Sequence, residues 1–175
     1  IELASRFTPA VRARTHGPDD FGGNVRVMRT DAAVLLAVAV YDQEHVNHFV
    51  DHRIGWDDSV HVSIQARSEA GRSTFQRTLA LTRDGPRIHP PAETGMKVKF
   101  AIRREATSTN YEVAVPWDVF ESKGPGGLTT VTMVIAVHDR DGDESFKSVN
   151  LSGAKRGPPV VFEMNGTSTG APNGE

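Results

Sequence analysis

The sequence predicts an all-β fold: a mainly antiparallel β-sandwich, jelly-roll-like, with one short helical turn. Three observations support this prediction. Apolar residues alternate with polar ones along most of the chain, which is the period of a strand and not of a helix. Clusters of glycine, proline and aspartate separate these stretches, as turns separate the short strands of a sandwich. The length of 175 residues is that of one domain, which can bury a sizeable core without disulfides.

The alternating stretches predict eight or so strands in a sandwich. In chain order the candidates are Val25–Met28, Val34–Tyr41, Ser59–Ala66, Phe75–Leu81, Val98–Ile102, Tyr111–Val115, Val131–Val137, Phe146–Val149 and Val160–Met164. The strand Val34–Tyr41 is apolar at both parities, so we expect it to be central and covered on both faces. In Ser59–Ala66 the apolar residues occupy every second position, which predicts one face buried in the core and one face exposed to solvent. The helical turn is predicted at Trp117–Ser122.

Residues 1–164 are predicted to form the module, and residues 165–175 a flexible tail or linker, because that segment is rich in Gly, Asn, Ser and Thr and has no apolar period. The chain starts at Ile1 without methionine, so we expect it to be a processed or excised part of a longer protein with neighbouring domains.

Composition excludes several classes of function. The net charge is −2 with scattered basic residues, which argues against nucleic-acid binding. The absence of cysteine removes a thiol nucleophile and a thiolate zinc site. No apolar stretch is long enough for a membrane span. The sequence has no phosphate-binding glycine loop, no Gly-x-Ser-x-Gly motif and no His-Glu-x-x-His motif, so we expect a protein that is not an enzyme.

Two segments are candidates for metal binding. His45, His48, Asp51 and His52 lie within eight residues, and the histidines would share one face of a helix, which would suit a transition metal. The alternative is a polar surface loop, because the segment follows a strand. The run Asp139, Asp141 and Asp143 around a glycine offers the hard oxygen ligands that suit Ca²⁺. Aspartate-rich hairpin turns are also common without metal.

The two tryptophans have different predicted roles. Trp117 follows a strand beside Phe120 and is predicted to be part of the core. Trp56 lies in a polar loop just before a strand, where an exposed aromatic face suits stacking on a sugar ring or another flat apolar ligand. The alternative for Trp56 is a lid over one end of the sandwich.

Four stretches, in order, resemble the family 9 carbohydrate-binding modules and their relatives. They are Val-Leu-Leu-Ala-Val-Ala-Val-Tyr-Asp at 34–42, Gly-Trp-Asp-Asp-Ser-Val-His-Val-Ser-Ile at 55–64, Tyr-Glu-Val-Ala-Val-Pro-Trp at 111–117, and Val-Ile-Ala-Val-His-Asp-Arg-Asp-Gly at 134–142. The similarity runs from about residue 24 to residue 143. No counterpart exists for the second tryptophan of the family's sugar site, because no tryptophan follows Trp117.

The resemblance implies a non-catalytic, secreted, periplasmic or cell-surface β-sandwich that binds carbohydrate and accompanies a glycan-active enzyme. It implies ligand binding by Trp56, Asp58, His61 and Arg77. It also implies structural Ca²⁺ at Asp42 or at the Asp139–Asp143 turn. Two alternatives remain open at this point. The first alternative to carbohydrate binding is a structural or protein-interaction module that has lost sugar binding. The second, which the sequence supports less, is a metal-dependent domain centred on His45, His48, Asp51 and His52.

Overall fold

The structure is a computed structural model. It describes the backbone of residues 11–15, 21–69, 71–122, 124, 127–141, 145–150 and 160–163, and the side chains of residues 23–69, 71–122, 124 and 127–140. Within this part of the chain, strands and one short 3-10 turn are the regular elements. No helix in it is long and apolar enough to cross a membrane. The predicted all-β sandwich is confirmed.

The eleven strands in the described ranges are β1 (Val11–Thr15), β2 (Phe21–Arg29), β3 (Ala33–Asp42), β4 (Ser59–Ser68), β5 (Gly71–Thr82), β6 (Gly85–His89), β7 (Lys99–Glu105), β8 (Ser108–Pro116), β9 (Thr130–Asp141), β10 (Ser145–Asn150) and β11 (Val160–Glu163). The 3-10 turn is Trp117–Phe120. β1 and β6 have no counterpart among the predicted strands. The predicted helical turn at Trp117–Ser122 is confirmed.

The strands form two antiparallel sheets. One sheet has the order β1-β2-β3-β8-β7. The other has the order β10-β9-β4-β5-β6, and β11 pairs with the N-terminal half of β9 while β10 pairs with its C-terminal half. Each sheet buries one face against the other, because every second residue of a strand points to the same side.

The core consists of the inward residues of both sheets. On β3 these are Val34, Leu36 and Val38, and on β4 they are Val60 and Val62, all of them buried. Burying one such side chain contributes about 1.5–3 kcal/mol, so this apolar layer is the main source of stability. Trp117 is also buried, as predicted, and its Nε1–H donates to the Thr30 carbonyl at 2.9 Å.

The expectation that β3 is covered on both faces is wrong for its outward side. β3 is central in its sheet, but its outward residues Leu35, Ala37 and Ala39 are only half-buried, and Tyr41 is 52 % exposed. These residues are apolar although they face outward, which explains why the sequence pattern suggested cover on both sides. The outward surface of this sheet is therefore apolar and accessible.

Candidate functional site

The loop between β3 and β4, residues 43–58, is held in place by Asp57. This carboxylate is fully buried and accepts hydrogen bonds from the His48 backbone N–H at 2.9 Å and from the Arg140 guanidinium at 2.8 Å. Burial alone would raise the pKa of Asp57, but the bonds from His48 and Arg140 outweigh it and hold that pKa below its usual value. Asp57 is therefore an anion that ties the loop to β9.

The neighbouring Asp58 makes a second set of ties. Its two oxygens accept the backbone N–H groups of Val46 at 2.6 Å and Arg140 at 2.8 Å, and its side chain is buried. Burial raises the pKa of Asp58 to about 7, and the nearby carboxylates of Asp42 and Asp139 add to this rise. The resemblance implied that Asp58 contacts ligand. The structure instead places it inside the protein, where it positions the loop.

Trp56 stands at the outer side of this loop and is 60 % exposed. The rings of Phe49 and Trp56 meet edge-to-face with their centroids 5.8 Å apart. The guanidinium of Arg53 lies 4.7 Å above the Phe49 ring and also pairs with Asp51 at 2.8 Å. This chain of contacts supports the indole from the side and leaves most of its surface open.

The backbone of Gly55, next to Trp56, lies on the outward face of the six-stranded sheet. The Gly55 carbonyl accepts a hydrogen bond from His138 Nδ1 at 3.0 Å, and a Cβ at position 55 would lie 3.3 Å from Cγ2 of Thr78. Nδ1 of His61 contacts the Thr78 hydroxyl at 3.2 Å. Trp56, His61, Thr78 and His138 thus lie on one side of the sandwich, and we call them the Trp56 face.

His61 is a neutral hydrogen-bonding group on this face. Partial burial lowers the pKa of His61, and the neighbouring His138 lowers it further. A neutral imidazole both donates and accepts, which suits a hydroxyl group as partner. The prediction that His61 points to the outward side of its strand is confirmed. Its contact with a ligand stays a prediction.

Arg77 is not part of the Trp56 face. The register of β5 with β4 places it opposite Val62, which points into the core. The Arg77 guanidinium lies 5.2 Å from the centre of the Phe75 ring and donates to the Gln76 carbonyl at 2.7 Å. The outward position at this level belongs to Thr78, one residue along the chain. The structure therefore does not bring Arg77 to Trp56, contrary to the alignment that suggested it.

The residues proposed for a transition metal are not gathered. The segment forms an extended loop followed by turns and not a helix, so the spacing of three and four residues does not align its side chains. The side chains of His48 and His52 are largely exposed. Of the described residues, one group has ligand atoms close enough for a metal: Asp42, His45 and Asp58, with these atoms within 4.8 Å of one another.

This buried group has the chemistry of a cation site. His45 Nε2–H donates to the Leu81 carbonyl at 2.8 Å, so its Nδ1 carries a lone pair, and this atom lies 3.4 Å from Oδ2 of Asp58. Two acceptors that face each other need a proton or a cation between them. Of the predicted calcium ligands, Asp42 belongs to this group and the buried Asp139 lies near it. The Asp141 side chain and Asp143 lie outside the described residues.

Sequence reasoning missed several residues that build the site. Thr78 and His138 occupy outward positions on β5 and β9, and the alternation of those strands was a signal that pointed to them. Arg140 shares that parity, but its aspartate-rich surroundings suggested a turn. No pattern indicated the contact of Phe49 with Trp56, because the path of an irregular loop has no period.

The structure resembles solved structures of carbohydrate-binding modules. One is a family 9 module from Caldicellulosiruptor kristjanssonii in complex with cellotriose. It has a TM-score of 0.60 and 12 % identity, and the match covers 93 % of this chain and 83 % of that one. A family 9 module from the same organism in complex with glucose gives a TM-score of 0.59, 13 % identity and coverage of 94 % and 85 %.

Sequence comparison gives no match to set beside this structural likeness. No family profile matches the chain. No curated protein matches it either. At 12 % and 13 % identity the likeness establishes the architecture and not the activity. The chain therefore has the fold of the family 9 carbohydrate-binding modules.

Proposed function

We propose that this chain is a non-catalytic carbohydrate-binding module whose ligand lies on the Trp56 face. The observation that carries the proposal is the exposed indole of Trp56, supported by Phe49 on a loop that two buried aspartates tie to the sheet. The modules of the same fold that are bound to glucose and cellotriose support this ligand class.

In this proposal three residues of the Trp56 face contact the sugar. The open side of the indole stacks on the apolar C–H face of a sugar ring. His61 and Thr78 hydrogen-bond the hydroxyl groups at the ring's edge. Asp57 and Asp58 touch no sugar and act as positioning residues, because their oxygens are engaged inside the protein.

The test is the affinity for glucose and cellotriose, measured by titration calorimetry on the wild type and on Trp56→Ala. We expect Trp56→Ala to weaken binding at least tenfold, which corresponds to about 1.4 kcal/mol. The fold should be retained, because the side chain is 60 % exposed. Val50→Ala is the matched control, because it removes an exposed apolar side chain from the same loop and lies outside the Trp56 face. Equal affinity of Trp56→Ala and wild type would remove the assignment.

We further propose that the group Asp42, His45 and Asp58, with Asp139 nearby, holds a structural Ca²⁺. The carboxylates supply the oxygen ligands that Ca²⁺ prefers, whereas the imidazole of His45 is better suited to Zn²⁺. The ion would hold β3, β4 and β9 together and take no part in sugar binding. A rise in the melting temperature with Ca²⁺ over the EDTA-treated protein would support it. A rise with Zn²⁺ alone would reassign the metal, and no rise with either would remove the site.

A second candidate function is a structural or protein-interaction module without sugar binding. One observation favours it: the other tryptophan, Trp117, is buried, so no second indole is available to form an opposite wall. A folded wild type that binds neither glucose nor cellotriose, nor any sugar of a glycan array, would select the interaction module.

We also propose that the module accompanies a glycan-active enzyme in an exported protein.

A further inference from the structure

The outward face of the five-stranded sheet carries a trough on the side of the sandwich opposite the Trp56 face. Strand register places the outward side chains of β2, β3, β8 and β7 in rows, which are Met28, Leu35, Ala114 and Lys99; Arg26, Ala37, Glu112 and Ala101; and Asn24, Ala39, Asn110 and Arg103. Two cavities of about 400 Å³ and 270 Å³ lie over these rows and share Arg26, Ala37 and Glu112 in their linings. They form one continuous trough.

The floor of the trough consists of alanines. Ala37 and Ala39 are neighbours on β3, Ala114 follows on β8, and Ala101 on β7. Alanine is a poor strand former, and outward strand positions usually carry polar or β-branched residues. Threonine or valine at these positions would favour the strands but would fill the trough. The sequence thus keeps this surface open at a cost in strand propensity.

One end of the trough has an aromatic wall, and its middle row carries polar groups. Tyr41 is half-exposed at that end, and its hydroxyl accepts a hydrogen bond from Nδ2 of Asn24 at 3.0 Å, which orients the ring. Arg26 and Glu112 flank Ala37 from the two neighbouring strands. Neither of them pairs with another residue in the part of the chain that the structure describes. A donor and an acceptor are therefore available on the two sides of an apolar floor.

We infer that the trough is a second carbohydrate site, which takes an extended, uncharged oligosaccharide. Sugar rings combine apolar C–H faces with hydroxyl edges that donate and accept. The alanine methyls and Tyr41 match the faces, and Arg26 and Glu112 match the edges. The trough contains cationic side chains (Arg26, Lys99 and Arg103) as well as the carboxylate of Glu112, and Arg103 pairs with Glu105 at 3.5 Å, so the lining does not present a single sign of charge to a charged ligand. A peptide strand would need a free sheet edge, whereas the floor lies mainly on the inner strands β3 and β8.

This second site goes beyond the proposed function because it uses no residue of the Trp56 face. The test therefore starts from Trp56→Ala, titrated with cellohexaose and xylohexaose. We expect this variant to bind at least one of the two hexasaccharides. Adding Tyr41→Ala or Ala37→Gln should weaken that binding at least tenfold. Ala37→Gln fills the junction of the two cavities at an outward, half-buried position, so its melting temperature should stay close to that of the parent variant.

The two sites give distinguishable failures. If the wild type binds no glucose but a hexasaccharide binds in a manner sensitive to Tyr41→Ala, the trough is supported and the Trp56 site is removed. If Trp56→Ala binds neither hexasaccharide, or if both trough variants bind as well as their folded parent, the trough proposal is overturned. Binding of an anionic oligogalacturonate alone overturns it as well. So does a dimer of the chain that Ala37→Gln dissociates, because a second copy would then be the occupant.

Discussion

Replacing Asp57 with asparagine tests whether buried charge holds the loop that presents Trp56. The change keeps the shape of the side chain but removes its charge. The NH2 group of the new amide is a donor, so it would face another donor, either the Arg140 guanidinium or the His48 N–H. Breaking a fully buried ion pair costs about 3–5 kcal/mol. Arg140 is 33 % exposed and regains water, so we expect a loss of about 2–3 kcal/mol.

This loss is measurable in two ways. Urea unfolding should show the lower free energy of unfolding directly. The melting temperature should fall by roughly 4–12 °C, given about 2–4 °C per kcal/mol for a domain of this size. The matched control is Arg140→Gln, alone and combined with Asp57→Asn. We expect the double variant to lose less than the sum of the two single losses, because each single change leaves a partner unsatisfied.

The pH dependence of the Asp57→Asn effect provides a further check. The pKa of Asp57 is lowered in the folded protein, so its contribution is complete above the unfolded pKa of about 3.9 and is lost as the pH falls below it. The difference between wild type and Asp57→Asn should therefore shrink in acid. A free energy of unfolding equal to that of the wild type at pH 7, or strict additivity with Arg140→Gln, would refute the reasoning.

Three further predictions concern other residues. Trp117→Phe should lower the free energy of unfolding by about 2–3 kcal/mol in urea, because it shrinks a buried ring and leaves the Thr30 carbonyl without its donor. Gly55→Ala should destabilise the protein by about 1 kcal/mol, because the new Cβ lies 3.3 Å from Cγ2 of Thr78. Serine lacks that carbon, so adding Thr78→Ser should bring the melting temperature of the double variant back toward that of the wild type. Folding lowers the pKa of His61, so the free energy of unfolding falls as the pH drops below about 6.5, the unfolded pKa. Between pH 7 and pH 5, denaturant titrations should therefore show a smaller drop in the free energy of unfolding for His61→Gln than for the wild type.

The strands were predictable because each has a core-facing side that repeats every second residue. Strands β4 and β9 show this most clearly, with Val60, Val62 and Ile64 on one and Val131 and Met133 on the other. The missed strand β6 starts with Gly85 and Pro86, which are turn signals in a sequence. It lies at a sheet edge, where proline is tolerated because no ladder hydrogen bond is required on the open side.

The site was less predictable than the strands, for reasons that differ between residues. Arg77 shares the parity of Phe75 and Leu79, so the alternation alone already placed it on the inward side, and only the alignment to a family placed it at the ligand. Asp58 was expected at the ligand from the family resemblance alone. Its burial depends on Val46 and Arg140, which are distant in sequence and come together only when the loop folds onto β9.

The arrangement of the two proposed sites has a consequence for how the module would act on a polysaccharide. The Trp56 face belongs to the six-stranded sheet and the Tyr41 trough to the five-stranded one, so the core separates them. One short oligosaccharide cannot touch both surfaces at once, and each site must bind with its own affinity. With a single exposed indole, the Trp56 face lacks the second wall that would raise that affinity. Retention on a polymer would then come from two modest contacts to neighbouring chains. Once one site is bound, the other meets its chain at a high effective concentration, so the module is held without a single tight site.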